Sequence, residues 1–150
     1  MKIIKLANHP ELQEQAAIWF SDKWGIPIEA YRDSIQTSIE QPEGVPQWYV
    51  ILNEHQHIIA GTGVIDNDFH ERKDISPNLC ALFVEETYRK QNIAKQLLDF
   101  ARAEMRSLGF EKLYLVTDLD DFYERCGWTF LTMVTEDEGG LIKMYVADTV

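Results

Sequence analysis

Apolar and polar positions change their period several times along this chain, and each change marks an element. Leu79, Cys80, Ala81, Leu82, Phe83 and Val84 form an unbroken apolar run, the pattern of a strand covered on both faces and central in its sheet. After Glu85-Glu86-Thr87-Tyr88 the chain turns basic at Arg89-Lys90-Gln91-Asn92-Ile93-Ala94, and the period becomes helical. From Asn92 to Ser107 the spacing predicts a helix burying Ala94, Leu97, Leu98, Ala101, Met105 and Leu108, with Gly109 as terminator. Lys112 to Thr117 reads as a strand. Strand, helix, strand with short connections is a right-handed crossover, so the two strands should run parallel.

The first half predicts a strand at Lys2 to Leu6 and a helix with Asn8 as cap, Pro10 in its first turn and Glu11 three residues past the cap. Leu12, Ala16, Trp19, Phe20 and Trp24 share one face of that helix, and Gly25 and Pro27 stop it. Ile28, Tyr31, Ile35 and Ile39 mark a second helix, ending before the turn-rich segment Gln41 to Pro46. Gln47 to Leu52 and His57 to Ile65 predict an antiparallel hairpin, in which Gly61 and Gly63 mark a bulge, a close backbone approach or a weakened strand. A loop dense in charge, Asp66 to Asp74, leads to the central strand. Asp118 to Cys126 suits a short helix, and Trp128 to Val134 with Leu141 to Ala147 suits a closing hairpin around the acidic turn at Glu136 to Gly140. The fold class is α/β (α+β), with a mixed central sheet of about six or seven strands flanked by four helices.

Composition narrows the picture. The chain has 150 residues, 45% of them hydrophobic, enough for a sizeable core, and no linker or repeat divides it, so one domain over 1–150 is expected. A net charge of -11 argues against nucleic acid and an anionic membrane surface and would attract a small cationic molecule. Two cysteines, Cys80 and Cys126, make neither a disulfide framework nor a metal spacing, and the N-terminus carries no long apolar segment. A cytoplasmic protein is the expectation.

A strand feeding a turn that opens a helix is a ready anion site, because unpaired N–H groups and the dipole's positive end point at one spot. Arg89, Lys90 and Lys95 add charge there. This stretch resembles the acyl-CoA signature of the GNAT superfamily of N-acetyltransferases, Gln/Arg-x-x-Gly-x-Gly/Ala. Arg89 and Ala94 match its ends, and Asn92 replaces the middle glycine. Phe122-Tyr123-Glu124-Arg125-Cys126-Gly127-Trp128 resembles a second family segment, FYExxGF/W, in the expected order, although the preceding loop, Thr117 to Asp121, is shorter than the family's usual Asn-bearing one. The resemblance implies the GNAT fold and acetyl transfer from acetyl-CoA, with no metal. It implies cofactor contacts from Leu82, Phe83, Val84, Arg89, Lys90, Gln91, Asn92, Ile93, Ala94 and Lys95. It implies that Tyr123 is the general acid for the leaving thiolate, against the plainer reading of a tyrosine packing a short helix. The first two helices would roof the acceptor, with their connection at Trp24 to Pro27 near it.

An alkyl amine is mostly protonated at neutral pH, and removing its proton costs roughly 4 to 5 kcal/mol, so a base is needed. Glu85 is the first candidate, directly or through water, with Asp66, Asp68, His70 and Glu71 as the others. Trp24, Asp66, Asp68 and His70 are candidate acceptor contacts. The H-x-H pair at His55 and His57 brackets a turn without a third ligand, His9 neighbours a cap, and Cys126 reads as a small buried residue. The function expected is acetylation of a primary amine on a small, cationic acceptor by direct attack in a ternary complex. The alternative is a catalytically silent CoA-binding or protein-interaction module, and the partner reading admits a homodimer.

Overall fold

The apolar start of the chain forms a short strand, β1 (Ile3–Lys5), in the computed structural model, which describes residues 2–150. Two 3-10 turns, Leu6–Asn8 and Pro10–Leu12, precede the first helix, α1 (Gln13–Trp24). This corrects the expected cap: Asn8 lies inside the first turn, and no side chain caps α1. Pro10 opens the second turn, where its preset φ fits and its missing N–H costs nothing. Gly25 ends α1 at φ 71°, donating its N–H to Ser21 O at 2.8 Å. The second helix, α2 (Ile28–Glu40), buries Tyr31 and Ile35. Phe20 joins the two helices to the sheet: its ring stacks on Tyr31 at 5.5 Å and meets Trp48 edge-on at 5.0 Å.

β2 (Gln47–Leu52) and β3 (Ile58–Ile65) pair antiparallel, with their one register irregularity between Ile51 and Leu52. The two glycines of β3 therefore mark close approach and not a bulge. A Cβ on Gly63 would lie 2.3 Å from the Trp48 ring, and one on Gly61 would lie 2.8 Å from the Phe20 ring. The apolar run forms β4 (Asn78–Val84), whose first three residues are buried while Ala81, Leu82 and Phe83 are half-buried. Cover on both faces thus holds only for part of the strand. Ala81 sits at φ 54°, which interrupts the pleat, so the side chains after it leave the alternation set before it.

After a 3-10 turn at Glu86–Tyr88 comes α3 (Ile93–Ser107), which starts one residue later than the pattern suggested. Ile93, Leu97, Leu98, Ala101 and Met105 are buried, but Ala94 and Leu108, at the ends of the apolar face, are only half-buried. β5 (Lys112–Thr117) runs parallel to β4 with Asn78 opposite Tyr114. α4 is confined to Phe122–Arg125, shorter than the expected Asp118 to Cys126, because Asp121 at φ 64° breaks any earlier helical turn. β6 (Thr129–Thr135) and β7 (Leu141–Asp148) close the chain as a hairpin.

The strands form one mixed sheet in the order β1-β2-β3-β4-β5-β7-β6, with β4 and β5 as its parallel pair and four α-helices flanking it. The chain divides into two compact units, residues 1–64 with 81–97 and residues 65–80 with 98–150. Among the described residues no helix is long and apolar enough to cross a membrane.

The tight approach at Gly63 can be tested directly. Gly63→Ala forces a methyl into the Trp48 ring, and about 1 to 3 kcal/mol of stability should be lost, read as a lower urea midpoint with an unchanged slope.

Candidate active site

In the first unit the turn after β4 is shaped by left-handed backbone. Lys90 and Asn92 both adopt φ 65°, and the Asn92 carbonyl accepts the N–H of Gln96 at 3.1 Å, so the helical hydrogen bonding of α3 begins there. The N–H groups of the first α3 residues have no intrahelical acceptor, which makes this turn a set of donors at the positive end of a helix dipole. Asn is the side-chain-bearing residue best suited to φ > 0, so Asn92 takes the conformation that a glycine would supply. Lys90, Gln91 and Asn92 are exposed, Ala94 and Lys95 are half-buried, and Ile93 is buried.

Arg89 is anchored back onto the strand. Its Nε donates to Val84 O at 2.9 Å, and its guanidinium lies 5.4 Å from the Phe83 ring centroid. Phe83 also meets Trp19 at 5.9 Å and the exposed Trp24 at 6.3 Å, both edge-on. Glu85 lies at the end of the same strand, and its Oε1 is 2.5 Å from Lys23 Nζ. Its N–H donates to Ile59 O of β3 at 2.8 Å.

In the second unit the charged loop is held by His70, which is completely buried. Its Nδ1 accepts the Arg72 N–H at 3.2 Å, so its hydrogen lies on Nε2 and is donated to Asn78 Oδ1 at 2.6 Å. Asn78 in turn donates Nδ2 to Asp66 O at 3.0 Å and Ile75 O at 2.9 Å. Asp66 is exposed, and its carboxylate accepts a long contact from Ser76 Oγ at 3.5 Å. Asp68 differs from its neighbours. It is mostly enclosed, and among the described residues its carboxylate makes no hydrogen bond or ion pair; burial, with the charge of Glu136 adding, pushes its pKa up to about 6.

Tyr123 belongs to the same unit. Burial pushes its phenol up to about 12, with Cys126 and the charge of Asp68 contributing, so it stays protonated across the physiological range. Its ring packs edge-on against Phe122 at 4.9 Å and lies 6.2 Å from Tyr145. The local sequence explains the placement. The Tyr123 carbonyl accepts the N–H of Trp128 at 3.0 Å, and the Glu124 carbonyl accepts that of Gly127 at 3.2 Å. These two bonds make a Schellman closure, which needs the left-handed φ of 90° that Gly127 provides. Cys80, also within reach of the Asp68 charge, is buried and its thiol is pushed well up by burial, so it remains an inert thiol.

A family model described as the Acetyltransferase (GNAT) family matches residues 10–128. The chain belongs to that family. Its class is that of the N-acetyltransferases. Similar solved structures share the fold. One is an aminoglycoside 6'-N-acetyltransferase complexed with coenzyme A, 18% identical, with a TM-score of 0.74 over 100% of this chain and 98% of that one. Another is an aminoglycoside 6'-N-acetyltransferase from Enterococcus faecium, 18% identical, with a TM-score of 0.71 over 100% and 98% of the two chains. A third is a spermidine N-acetyltransferase from Vibrio cholerae, 12% identical, with a TM-score of 0.70 over 99% and 95%. No curated protein sequence matches this chain.

For this acetyltransferase the structure separates the five candidate bases. Glu85 is paired with Lys23, Glu71 Oε1 accepts the Thr135 N–H at 3.2 Å, and both ring nitrogens of His70 are engaged. His70 has no exposed surface, and its ring bonds hold the loop. Asp68 is the enclosed carboxylate left without such a partner among the described residues. Sequence reasoning missed Lys23, Asn78 and Ala81. A lysine late in a helix and an alanine in an apolar run carry no signal of an aromatic seat or a positive φ. Asn78, a polar residue directly before an apolar strand, did carry one. His55 and His57 have rings 6.4 Å apart, and among the described residues no cluster of three or more metal-ligating side chains forms.

The state of Asp68 predicts a stability effect. An ordinary aspartate titrates near 3.9, whereas folding raises this one to about 6, so its cost to the fold is absent below about pH 4, grows as pH rises to 6 and is constant above. Asp68→Asn should therefore stabilise the protein at pH 7 by about 1 to 3 kcal/mol and change little at pH 4, which urea unfolding at the two pH values will read.

Proposed function

We propose that this chain is a single N-acetyltransferase domain that moves the acetyl group of acetyl-CoA onto a primary amine of a small, cationic acceptor, by direct attack in a ternary complex. The observation that carries this reading is the turn from Arg89 to Ala94, where left-handed Lys90 and Asn92 lead into the free donors of α3. A pyrophosphate is the anion such donors suit, with Arg89 and Lys90 adding charge. Main-chain groups of Leu82, Phe83 and Val84 are the proposed partners of the pantetheine arm, which can pair like an added strand. The single-domain reading is supported by connectivity, since neither compact unit is one continuous stretch of chain.

The chemistry needs a base and an acid. The amine nitrogen attacks the thioester carbonyl, the C–N bond forms and the C–S bond breaks. We assign the amine's proton to Asp68, whose pKa of about 6 leaves it ionised yet basic at neutral pH. The departing thiolate takes its proton from Tyr123, whose phenol is protonated at every working pH. The net charge of -11 favours a cationic acceptor, and two of the similar structures act, by name, on aminoglycosides and spermidine, compounds with several amino groups.

Calorimetry of the protein against acetyl-CoA should show binding, weakened roughly tenfold or more by Arg89→Ala; no binding to folded wild-type protein would overturn the assignment. In an amine screen that follows release of free CoA, Tyr123→Phe should lower kcat by about 10²-fold or more with acetyl-CoA affinity retained. The pH profile of kcat/KM should rise through about 6 as Asp68 ionises, and Asp68→Asn should abolish that limb while lowering the plateau.

A further inference from the structure

The last turn of α1 and the end of β4 bring four side chains of the first unit around one primary ammonium. Lys23 Nζ lies 5.7 Å from the Trp19 ring centroid and 5.4 Å from that of Phe83. It is 2.5 Å from Glu85 Oε1 and 3.3 Å from Asp22 Oδ2. Two aromatic rings and two carboxylates are the chemistry that recognises an alkylammonium ion. Only 19% of the Lys23 side chain is exposed, whereas a lysine in an ordinary surface pair keeps its long stem in water for little net gain. The close pairing with the Glu85 carboxylate holds the Lys23 pKa above the usual value, so the occupant stays charged. The wall continues to solvent through Trp24, which is 45% exposed and stands edge-on to Phe83.

We propose that this cluster is an ammonium-binding subsite, filled in the free protein by the chain's own Lys23, and that Lys23 thereby decides which amines are accepted. The inference rests on the amine-acceptor reading above. With Lys23 seated, a second ammonium on an acceptor meets a cation in place of two carboxylates, and the Arg89 guanidinium 5.4 Å from the same Phe83 ring adds to the repulsion. Lys23 therefore selects acceptors that present one amino group and keep any further cation away from Phe83. Without Lys23, Trp19, Phe83, Glu85 and Asp22 form an open seat for a distal ammonium.

The test removes the occupant and offers a substitute. n-Butylammonium chloride is titrated by calorimetry into wild type, Lys23→Ala and Lys23→Met, with n-butanol as the uncharged probe of similar length. Lys23→Ala should bind n-butylammonium at least about tenfold more tightly than wild type and should ignore n-butanol, while Lys23→Met, whose stem refills the seat, should not gain binding. In turnover assays the kcat/KM ratio of 1,5-diaminopentane to pentylamine should rise about tenfold or more in Lys23→Ala. Folded Lys23→Ala that binds n-butylammonium no better than wild type, or gains equally for n-butanol, overturns the proposal. Lys23→Ser, which also empties the seat, carries the same comparison if the alanine variant does not fold. The calorimetric arm needs no catalysis, so its failure is distinguishable from failure of the acetyl-CoA titration.

Discussion

A helix leaves its first N–H groups without intrahelical acceptors, and the anion site proposed for the first unit depends on how the chain enters α3. Left-handed residues at Lys90 and Asn92 turn the backbone so that hydrogen bonding starts at the Asn92 carbonyl. Asn92 stands where the family signature has glycine, and its observed φ shows that the missing glycine does not cost the turn its shape. Lys90 has no comparable tolerance for φ > 0, so local strain on the order of 1 kcal/mol or more is stored at this turn and offset by the contacts around it. Arg89 supplies one of these contacts by tying the turn back to Val84.

The second unit shows the opposite arrangement, an acid kept without partners. His70 and Asn78 spend their hydrogen bonds on the loop backbone and hold it in place, whereas Asp68 on the same loop receives none among the described residues. The enclosure that raises Asp68 to about 6 also raises Tyr123 to about 12. One physical cause therefore pushes a carboxyl up towards neutral pH and keeps a phenol protonated, the separation that the proposed base and acid require. Such an enclosure destabilises the fold, as expected where function and stability compete.

Phe83 gathers aromatic and cationic side chains within the first unit. The Arg89 guanidinium and the Lys23 ammonium both lie near its ring, and Trp19 and Trp24 meet it edge-on. Aromatic and cationic groups so interleaved are costly to rearrange one at a time. A change at Lys23 is accordingly felt next to Arg89.

The element order, the parallel pair and the basic turn were legible in the sequence because each follows from local period or from a glycine or asparagine with a required backbone angle, while the Tyr123 segment was legible through its resemblance to a family motif. Gly25, Gly127 and Asn92 are such cases, each observed at positive φ. The sequence left open whether Gly61 and Gly63 meant a bulge, a weak strand or close approach, because the rings they accommodate belong to residues distant in the chain or on the paired strand. The ranking of Glu85, Asp66, Asp68, His70 and Glu71 was likewise hidden. Their residue types and spacing are alike; only burial and partner geometry, which depend on how distant segments pack, make His70 a scaffold, pair Glu85 with Lys23 and leave Asp68 enclosed with its pKa raised. Local backbone preferences travel with the sequence, but desolvation and pairing are properties of the packed chain, and the tertiary structure alone decided them.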